Sequence, residues 1–481
     1  MSERVLQDSA GVEMVPPLSD DLDSLACLLD VALSAVGSGR DERGGPLPLG
    51  GPVAIADDVR RALVNQALPA TGTDPALVLA QLSRILAAGA ADPTHPFCAA
   101  HLHCPPLAVG VAADLVAAVL NQSLDSWDQA PAASEFERQV IDSLAHLAGY
   151  DPSVAGGVVT SGGTESNLMG LLLARDAAAT GQARVFASEL AHFSVARNAQ
   201  LLGMDPQAVV DVPTDRAGRM DPDALEVAMT AALRRGEQPA AVVATAGTTD
   251  LGSIDPLVDV ATVARRHGAW LHIDAAYGGG ALFSSRLQPL LAGLAGADSI
   301  ALDLHKLGWL PIPAGVFLVH DHTALAPLAT RVAYLNPADD ENAGIPSLLG
   351  RSLRTTRRAD AFKIAVCLRA LGREGLGALV DRCHELATYA ASRVARHRRL
   401  QLWATPVLTT VVFSYTARTD SSAVNAVLRR RLLFAGKAVV GRADLNGAVW
   451  LKLTLLNPQA SKTDIDRLLD AIVAAGEEED R

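Results

Sequence analysis

The spacing of apolar positions changes twice along the chain. In "DDLDSLACLLDVALSAVG" the apolar residues recur at helical spacing, and everything up to about residue 105 predicts helices joined by loops. "DERGGPLPLGGP" reads as a Gly/Pro-rich connection within that stretch. From about 106 to 365, short apolar runs alternate with helical segments: "GGVVTSGG", "ARVFAS", "AAVVATAG", "AWLHIDAA", "DSIALDL" and "AGVFLVHD". Apolar strands alternating with helices predict a mostly parallel sheet covered on both faces. Beyond "SLRTTRRADAFK" come a long helical stretch, the runs "TTVVFSYT" and "VWLKLTLLN", and a last helix from about Lys462. That pattern predicts a smaller α+β domain. The tail "GEEEDR" reads as frayed and solvated. The expected fold class is α/β, divided into a helical segment (1–105), a large α/β domain (106–365) and a small C-terminal domain (366–481).

Composition narrows the function. The chain has 481 residues, 49% of them hydrophobic, which is ample for a large core. A net charge of −12 argues against nucleic acid and anionic membrane surfaces as partners, because both require clustered Lys and Arg. The polar N-terminus lacks the basic start and apolar stretch of a secretion signal, and no uninterrupted apolar run is long enough to span a bilayer. The five cysteines are scattered, with no C-x-x-C pair, so neither a disulfide framework nor a metal site is expected. These features describe a cytoplasmic, enzyme-sized protein.

Four stretches carry candidate chemistry. In "VVTSGGTESNLMGLLLARD" a strand ends at Ser161-Gly162-Gly163-Thr164 and a helix begins. Glycines admit close approach, and a helix N-terminus offers free N–H groups, so this turn suits a phosphate. In "SELAHFSVARNAQLLG", His192 is placed near a helix start, where a flat imidazole can cap, fill a core or stack on a ring. In "VVATAGTTDLGSIDPL", Thr248, Thr249 and Asp255 follow a buried strand. Such residues form turns, and they also lie where open parallel sheets bind ligands. In "AWLHIDAAYGGG", Asp274 ends an apolar strand and is followed by two alanines. A carboxylate there needs a partner, which a protonated ring nitrogen would supply, and small neighbours leave room for a flat ring. Lys306, in "ALDLHKLGWLP", follows the next apolar strand. A buried amine is costly unless it is paired, neutral or covalently used. A phosphate cradle, a stacking His, a carboxylate for a ring nitrogen and a strand-end lysine together describe a pyridoxal 5′-phosphate site.

"TSGGTESN", "AHFSV", "ATAGTTD", "WLHIDAAYGG" and "DLHK" resemble the group II pyridoxal phosphate-dependent amino-acid decarboxylases, over a span from about His95 to Pro458. "AAHLHCPPL", "NQSLDSWDQAPAASEFE", "YLNP", "SLRTTRRADAFK" and "LKLTLLNP" are most similar to the bacterial diaminobutyrate and siderophore-type, diamine-forming branch. The resemblance implies the fold type I architecture, with a seven-stranded, mostly parallel sheet, and a homodimer with sites at its interface. It implies that Lys306 carries the cofactor as a Schiff base with His305 beside it, and that Asp274 pairs with the pyridine nitrogen. Ala276 would pack on the ring and His192 on its other face. Gly163, Thr164 and His305 would hold the phosphate, and Thr249 would lie near the ring or Asp274.

The implied reaction is decarboxylation of an amino acid, with a small or basic side chain favoured. Many relatives that act on aromatic amino acids carry a tyrosine on a mobile loop over the site. The matching stretch here, "ADDENAGIPSLLG" (338–350), has none, and Tyr334 lies just upstream. Loss of that tyrosine accompanies oxidative deamination in the wider family, so that outcome, or another Cα or Cβ cleavage of a specialised intermediate in natural-product biosynthesis, stays open beside simple decarboxylation, as does binding without turnover. Trp309 and Pro311 depart from the usual residues after the lysine, and His103 stands where a polar substrate-side residue is expected.

Overall fold

The computed structural model describes residues 17–64, 67–178 and 182–481. Among them, 17–44 with 52–90 form one compact unit, and 45–51 with 91–481 form a second.

The first unit is built on α1 (Leu22–Arg43), α2 (Gly51–Ala62) and α3 (Pro75–Ala88). Asp21 caps α1 by accepting from the Ser24 amide at 3.0 Å, and Gly44 ends it with a φ of 67°. Asp74 caps α3, with Pro75 in its first turn. Gly39 lets α1 approach α3 closely, since a Cβ there would lie 2.8 Å from the Ala87 Cβ. Glu42 and Arg84 pair across the same contact at 2.6 Å. By length and composition alone, α1 is apolar enough to cross a membrane, although Asp23 and Asp30 interrupt its apolar run.

The second unit contains two sheets. Its strands are β1 (Cys98–Ala99), β2 (Gly156–Thr160), β3 (Ala183–Ser188), β4 (Val209–Val212), β5 (Gln238–Thr245), β6 (Trp270–Ala275), β7 (Ser299–Asp303), β8 (Gly315–Val319), β9 (Leu400–Leu402), β10 (Thr410–Tyr415), β11 (Val439–Leu445) and β12 (Ala448–Thr454). The larger sheet has seven strands in the order β2-β8-β7-β6-β5-β3-β4. Neighbours from β7 to β4 are parallel, and β8 is antiparallel to both β2 and β7. The carboxyl ends of β2, β5, β6 and β7 therefore share one edge. All six apolar runs read from the sequence are strands here. The seventh strand, β4, is an edge strand that is only half-buried, so its apolar signal is weak.

The smaller sheet has the order β1-β11-β12-β10-β9. Cys98–Ala99 pairs in parallel with Val439–Val440, so residues 91–105 belong with the second unit rather than with the N-terminal helices. The boundary expected at 365 falls inside a long helix, Ala361–Arg396, which is broken at Gly372. The C-terminal tail is not frayed. The last helix runs from Lys462 to Glu479 with a Ser461/Asp464 capping box. Asp480 accepts from Arg399 at 2.9 Å and from the Arg418 amide at 2.8 Å.

A buried ion pair ties the entry of the long helix to the sheet. Arg357 donates through Nη1 to both carboxylate oxygens of Glu137, at 2.8 and 2.6 Å, and both residues are buried. Glu137 lies on the helix Pro131–Ala148 and also accepts from the Val159 amide of β2 at 3.4 Å. Removing one partner strands the other charge in the interior. Arg357→Met is expected to cost about 3–5 kcal/mol in urea unfolding, and Glu137→Leu with Arg357→Met to recover most of it. An unchanged midpoint for the single variant would show that the pair is solvated.

Candidate active site

The shared edge of the sheet opens into a cavity of about 410 Å³. Ligand sites form at the carboxyl ends of parallel strands because loops diverge there and helix N-termini converge. The cavity wall includes Gly163 and Thr164 after β2, His192 after β3, and Thr249 after β5. Asp274 and Ala276 come from the end of β6, and His305 and Lys306 from the turn after β7. The structure thus brings together all eight residues that the resemblance assigns to the cofactor.

The glycine turn is narrow for a physical reason. Gly163 opens the helix Gly163–Ala177, whose first-turn N–H groups have no intrahelical partner. A Cβ at Gly163 would lie 2.9 Å from the Ala276 Cβ and 3.2 Å from Asp303 Oδ2. Gly162 sits at a φ of 153°, with His305 Cε1 3.3 Å from the place of its missing Cβ. The turn is a cradle lined by backbone, and any side chain would fill it.

Lys306 is not a solvated lysine. Its Nζ lies 2.8 Å from Asp303 Oδ2, and Asp303 is buried. The other Asp303 oxygen, Oδ1, is buried without a hydrogen-bond partner. The sequence reading passed over Asp303, although it stands three residues before the lysine in the quoted motif. His305 accepts through Nδ1 from the Ala314 amide at 3.3 Å, which leaves Nε2 to carry the proton. Burial holds the His305 imidazole below its ordinary pKa, against the opposing pull of Asp303.

Asp274 accepts from Asn167 Nδ2 at 2.8 Å and from the Ala276 amide at 3.1 Å. His192 Nδ1 faces the Ser194 hydroxyl at 2.8 Å and the Ser194 amide at 3.3 Å. Burial lowers the His192 pKa, with Asp274 working against that shift and Lys306 adding to it. Asn167 also lines the cavity and was missed; its one visible signal is its place on the first turns of the glycine-turn helix.

Several other candidates fall outside the cavity. Asp255 accepts from the Met220 and Thr245 amides, each at 2.7 Å, and burial raises its pKa to about 6; it is a structural carboxylate. Thr248 accepts from the Ser253 amide to close a turn. His103 is exposed, and its neighbour Leu102 lines the cavity instead. Trp309 is 1% exposed and donates its indole N–H to the Leu456 carbonyl at 2.8 Å, which anchors the chain behind the site. Tyr334 is 82% exposed. Tyr277 does line the cavity, but its hydroxyl is engaged by Thr409 and Thr410, both at 2.8 Å.

Residues 58–416 match the pyridoxal-dependent decarboxylase conserved domain. The chain belongs to that family. It is 44% identical to the L-2,4-diaminobutyrate decarboxylase of Rhizobium meliloti (strain 1021) over 413 residues, covering 84% of this chain and 83% of the relative. The L-2,4-diaminobutyrate decarboxylase of Acinetobacter baumannii is 38% identical over 411 residues, covering 80% of each. Among solved structures, the glutamate decarboxylase domain of diaminobutyrate-pyruvate transaminase and L-2,4-diaminobutyrate decarboxylase from Vibrio parahaemolyticus superposes with a TM-score of 0.83 at 32% identity, covering 94% of this chain and 96% of that one.

The enzyme is therefore a pyridoxal phosphate-dependent amino-acid decarboxylase with the fold type I architecture, in the diaminobutyrate branch. The cavity fits that cofactor: a side-chain-free cradle at a helix N-terminus, an amine, and a carboxylate at a strand end lie around one space. Gly163→Ala is expected to weaken cofactor binding about tenfold, the scale of a 1–2 kcal/mol steric penalty. Fluorescence titration of the apoenzyme measures it, and an unchanged dissociation constant would remove the turn from the cofactor cradle.

Proposed function

We propose that this enzyme removes the α-carboxylate of L-2,4-diaminobutyrate, releasing CO₂ and leaving propane-1,3-diamine. The observation that carries this reading is the 44% identity to a diaminobutyrate decarboxylase across 84% of the chain, with the eight residues expected to hold the cofactor on one cavity. The bound cofactor supplies an electron sink for the pair released at Cα. Lys306 would hold it covalently through its ε-amine. Asp274 would keep the ring nitrogen protonated. Ala276 and His192 would flank the ring. Gly163, Thr164 and His305 would take the phosphate, and Thr249 would lie beside the ring.

Proton return to Cα falls to groups on the cavity wall. The Tyr277 hydroxyl is occupied, and Tyr334 faces solvent. With His305 given to the phosphate, that role goes to His192, whose Nε2 carries the proton when Nδ1 accepts, or to the Lys306 amine. The oxidative outcome draws on the tyrosine-free 338–350 stretch alone, and the relatives above are named decarboxylases. We further infer a cytoplasmic homodimer that engages neither nucleic acid nor membrane. The net charge of −12 supports the absence of nucleic-acid and membrane partners, as does Asp30 within α1, since a charge at that depth disfavours insertion.

Purified, cofactor-loaded enzyme offered diaminobutyrate, ornithine, lysine and glutamate is expected to release CO₂ chiefly from diaminobutyrate, with no loss of dissolved oxygen. Oxygen consumption matched to CO₂ would replace this reading with oxidative deamination. Lys306→Ala is expected to abolish both turnover and borohydride-fixed cofactor. Asp274→Asn is expected to lower kcat by about 10²-fold or more, the scale of losing one preorganised electrostatic partner. Near wild-type rates in either variant would refute the role given to that residue.

A further inference from the structure

A chain of buried hydrogen bonds runs away from the cavity behind Asp274. Asn167 Nδ2 lies 2.8 Å from Asp274 Oδ2 and 3.0 Å from Ser194 Oγ. Asn167 Oδ1 lies 2.9 Å from His272 Nε2, and His272 Nδ1 lies 2.8 Å from Ser299 Oγ. Trp270 Nε1 donates to that same Ser299 oxygen at 2.9 Å. His272 is fully buried, two residues before Asp274 on β6 and on the same face of the strand, so one Asn167 side chain reaches both.

The proton positions in this chain have one consistent solution. A carboxylate only accepts, so Asn167 must turn its NH₂ toward Asp274. Its second N–H then goes to Ser194, and its carbonyl faces His272. His272 must donate through Nε2 and accept through Nδ1, so the Ser299 hydroxyl donates to it. Ser299 in turn accepts from Trp270, whose indole can only donate. At the other end, Ser194 Oγ accepts from Asn167 and donates its own proton to His192 Nδ1. The Ser194 amide points at the same nitrogen. His192 is thereby set with its proton on Nε2.

We infer that His272 is a positioning residue that acts through Asn167 to set the hydrogen bonding of Asp274 and the tautomer of His192 together. Burial keeps its imidazole neutral, well below its ordinary pKa, as a one-donor, one-acceptor link requires. The packing is specific to it as well. A Cβ at Gly170 would lie 2.5 Å from His272 Nδ1, so the adjacent helix leaves room for this ring and for no side chain of its own. An apolar residue at 272 would free the Asn167 carbonyl, and the amide would lose one of the three contacts that hold it against Asp274 and Ser194. A histidine serving only as core filler would have no effect on His192, 272 being remote from the cavity wall. The effect of His272 on turnover rests on the roles proposed above for Asp274 and His192; its effect on the His192 tautomer does not.

The experiment combines ring-¹⁵N NMR of histidine-labelled apoenzyme with kinetics of the cofactor-loaded enzyme. The His192 signals are assigned by their loss in His192→Gln. In wild type, His192 is expected to show the Nε2–H pattern. His272→Phe is expected to shift it toward a tautomer mixture and to lower kcat by about 10- to 100-fold with KM changed less than about twofold, the scale on which such supporting partners act. His272→Gln, whose amide N–H replaces Nε2–H, is expected to retain the His192 pattern and most of kcat. Asn167→Asp keeps the shape but loses both donors, and it provides the same ¹⁵N test if His272→Phe fails to fold. Unchanged His192 shifts in His272→Phe, or in Asn167→Asp where that variant stands in, overturn the inference. Shifted signals with wild-type kcat would support the link and refute the roles of Asp274 and His192 in turnover.

Discussion

A carboxylate accepts hydrogen bonds and never donates them, and the polar interior of this enzyme is organised by that fact at Asp274. The residue lies at the end of a buried strand, on the cavity wall, where few water molecules can satisfy it. Asn167 and the Ala276 amide satisfy it, at 2.8 and 3.1 Å. Once Asn167 is committed, the states of His272, Ser299, Ser194 and His192 follow from donor and acceptor counts. Four elements that meet nowhere in sequence are thereby coupled: the glycine-turn helix, β6, β7 and the segment carrying His192.

The seven-stranded sheet supplies the geometry on which this depends. Six of its strands run in one sense, so their carboxyl ends converge. The cradle at Gly163, the carboxylate at Asp274 and the amine at Lys306 each leave a different strand at that edge. Removal of side-chain bulk matters as much as its presence. Gly162 and Gly163 keep the cradle open, Gly170 admits the His272 ring, and Ala276 leaves space beside Asp274. Behind the site, Trp309 and the Glu137–Arg357 pair fix the segments that carry these residues to the rest of the unit.

Lys306 illustrates how a costly group is tolerated. The pairing with Asp303 at 2.8 Å gives the amine a partner, while Asp303 Oδ1 stays without one. The sequence motif placed His305 and Lys306 at the site yet passed over Asp303, because an acidic residue at a strand end is indistinguishable from a turn former until its surroundings are known. Asp255 is the converse: it looks equivalent in sequence, and it is consumed by two backbone amides.

The sequence by itself determined the alternation of apolar strands and helices, hence the parallel sheet, because burial on both faces leaves an uninterrupted apolar signature. It also determined the cofactor chemistry, since a glycine turn, a strand-end carboxylate and a strand-end lysine each follow a readable strand. The tertiary structure alone decided what lies between those motifs. Strands β4, β9 and β11 are short, peripheral or alternately exposed, and their apolar signal is faint. The pairing of β1 with β11 joins residues far apart in the chain, so it moved a boundary that composition had placed elsewhere. The orientation of Asn167 and the tautomers of His272 and His192 are properties of contacts, set by which acceptor faces which donor, and no single segment carries them.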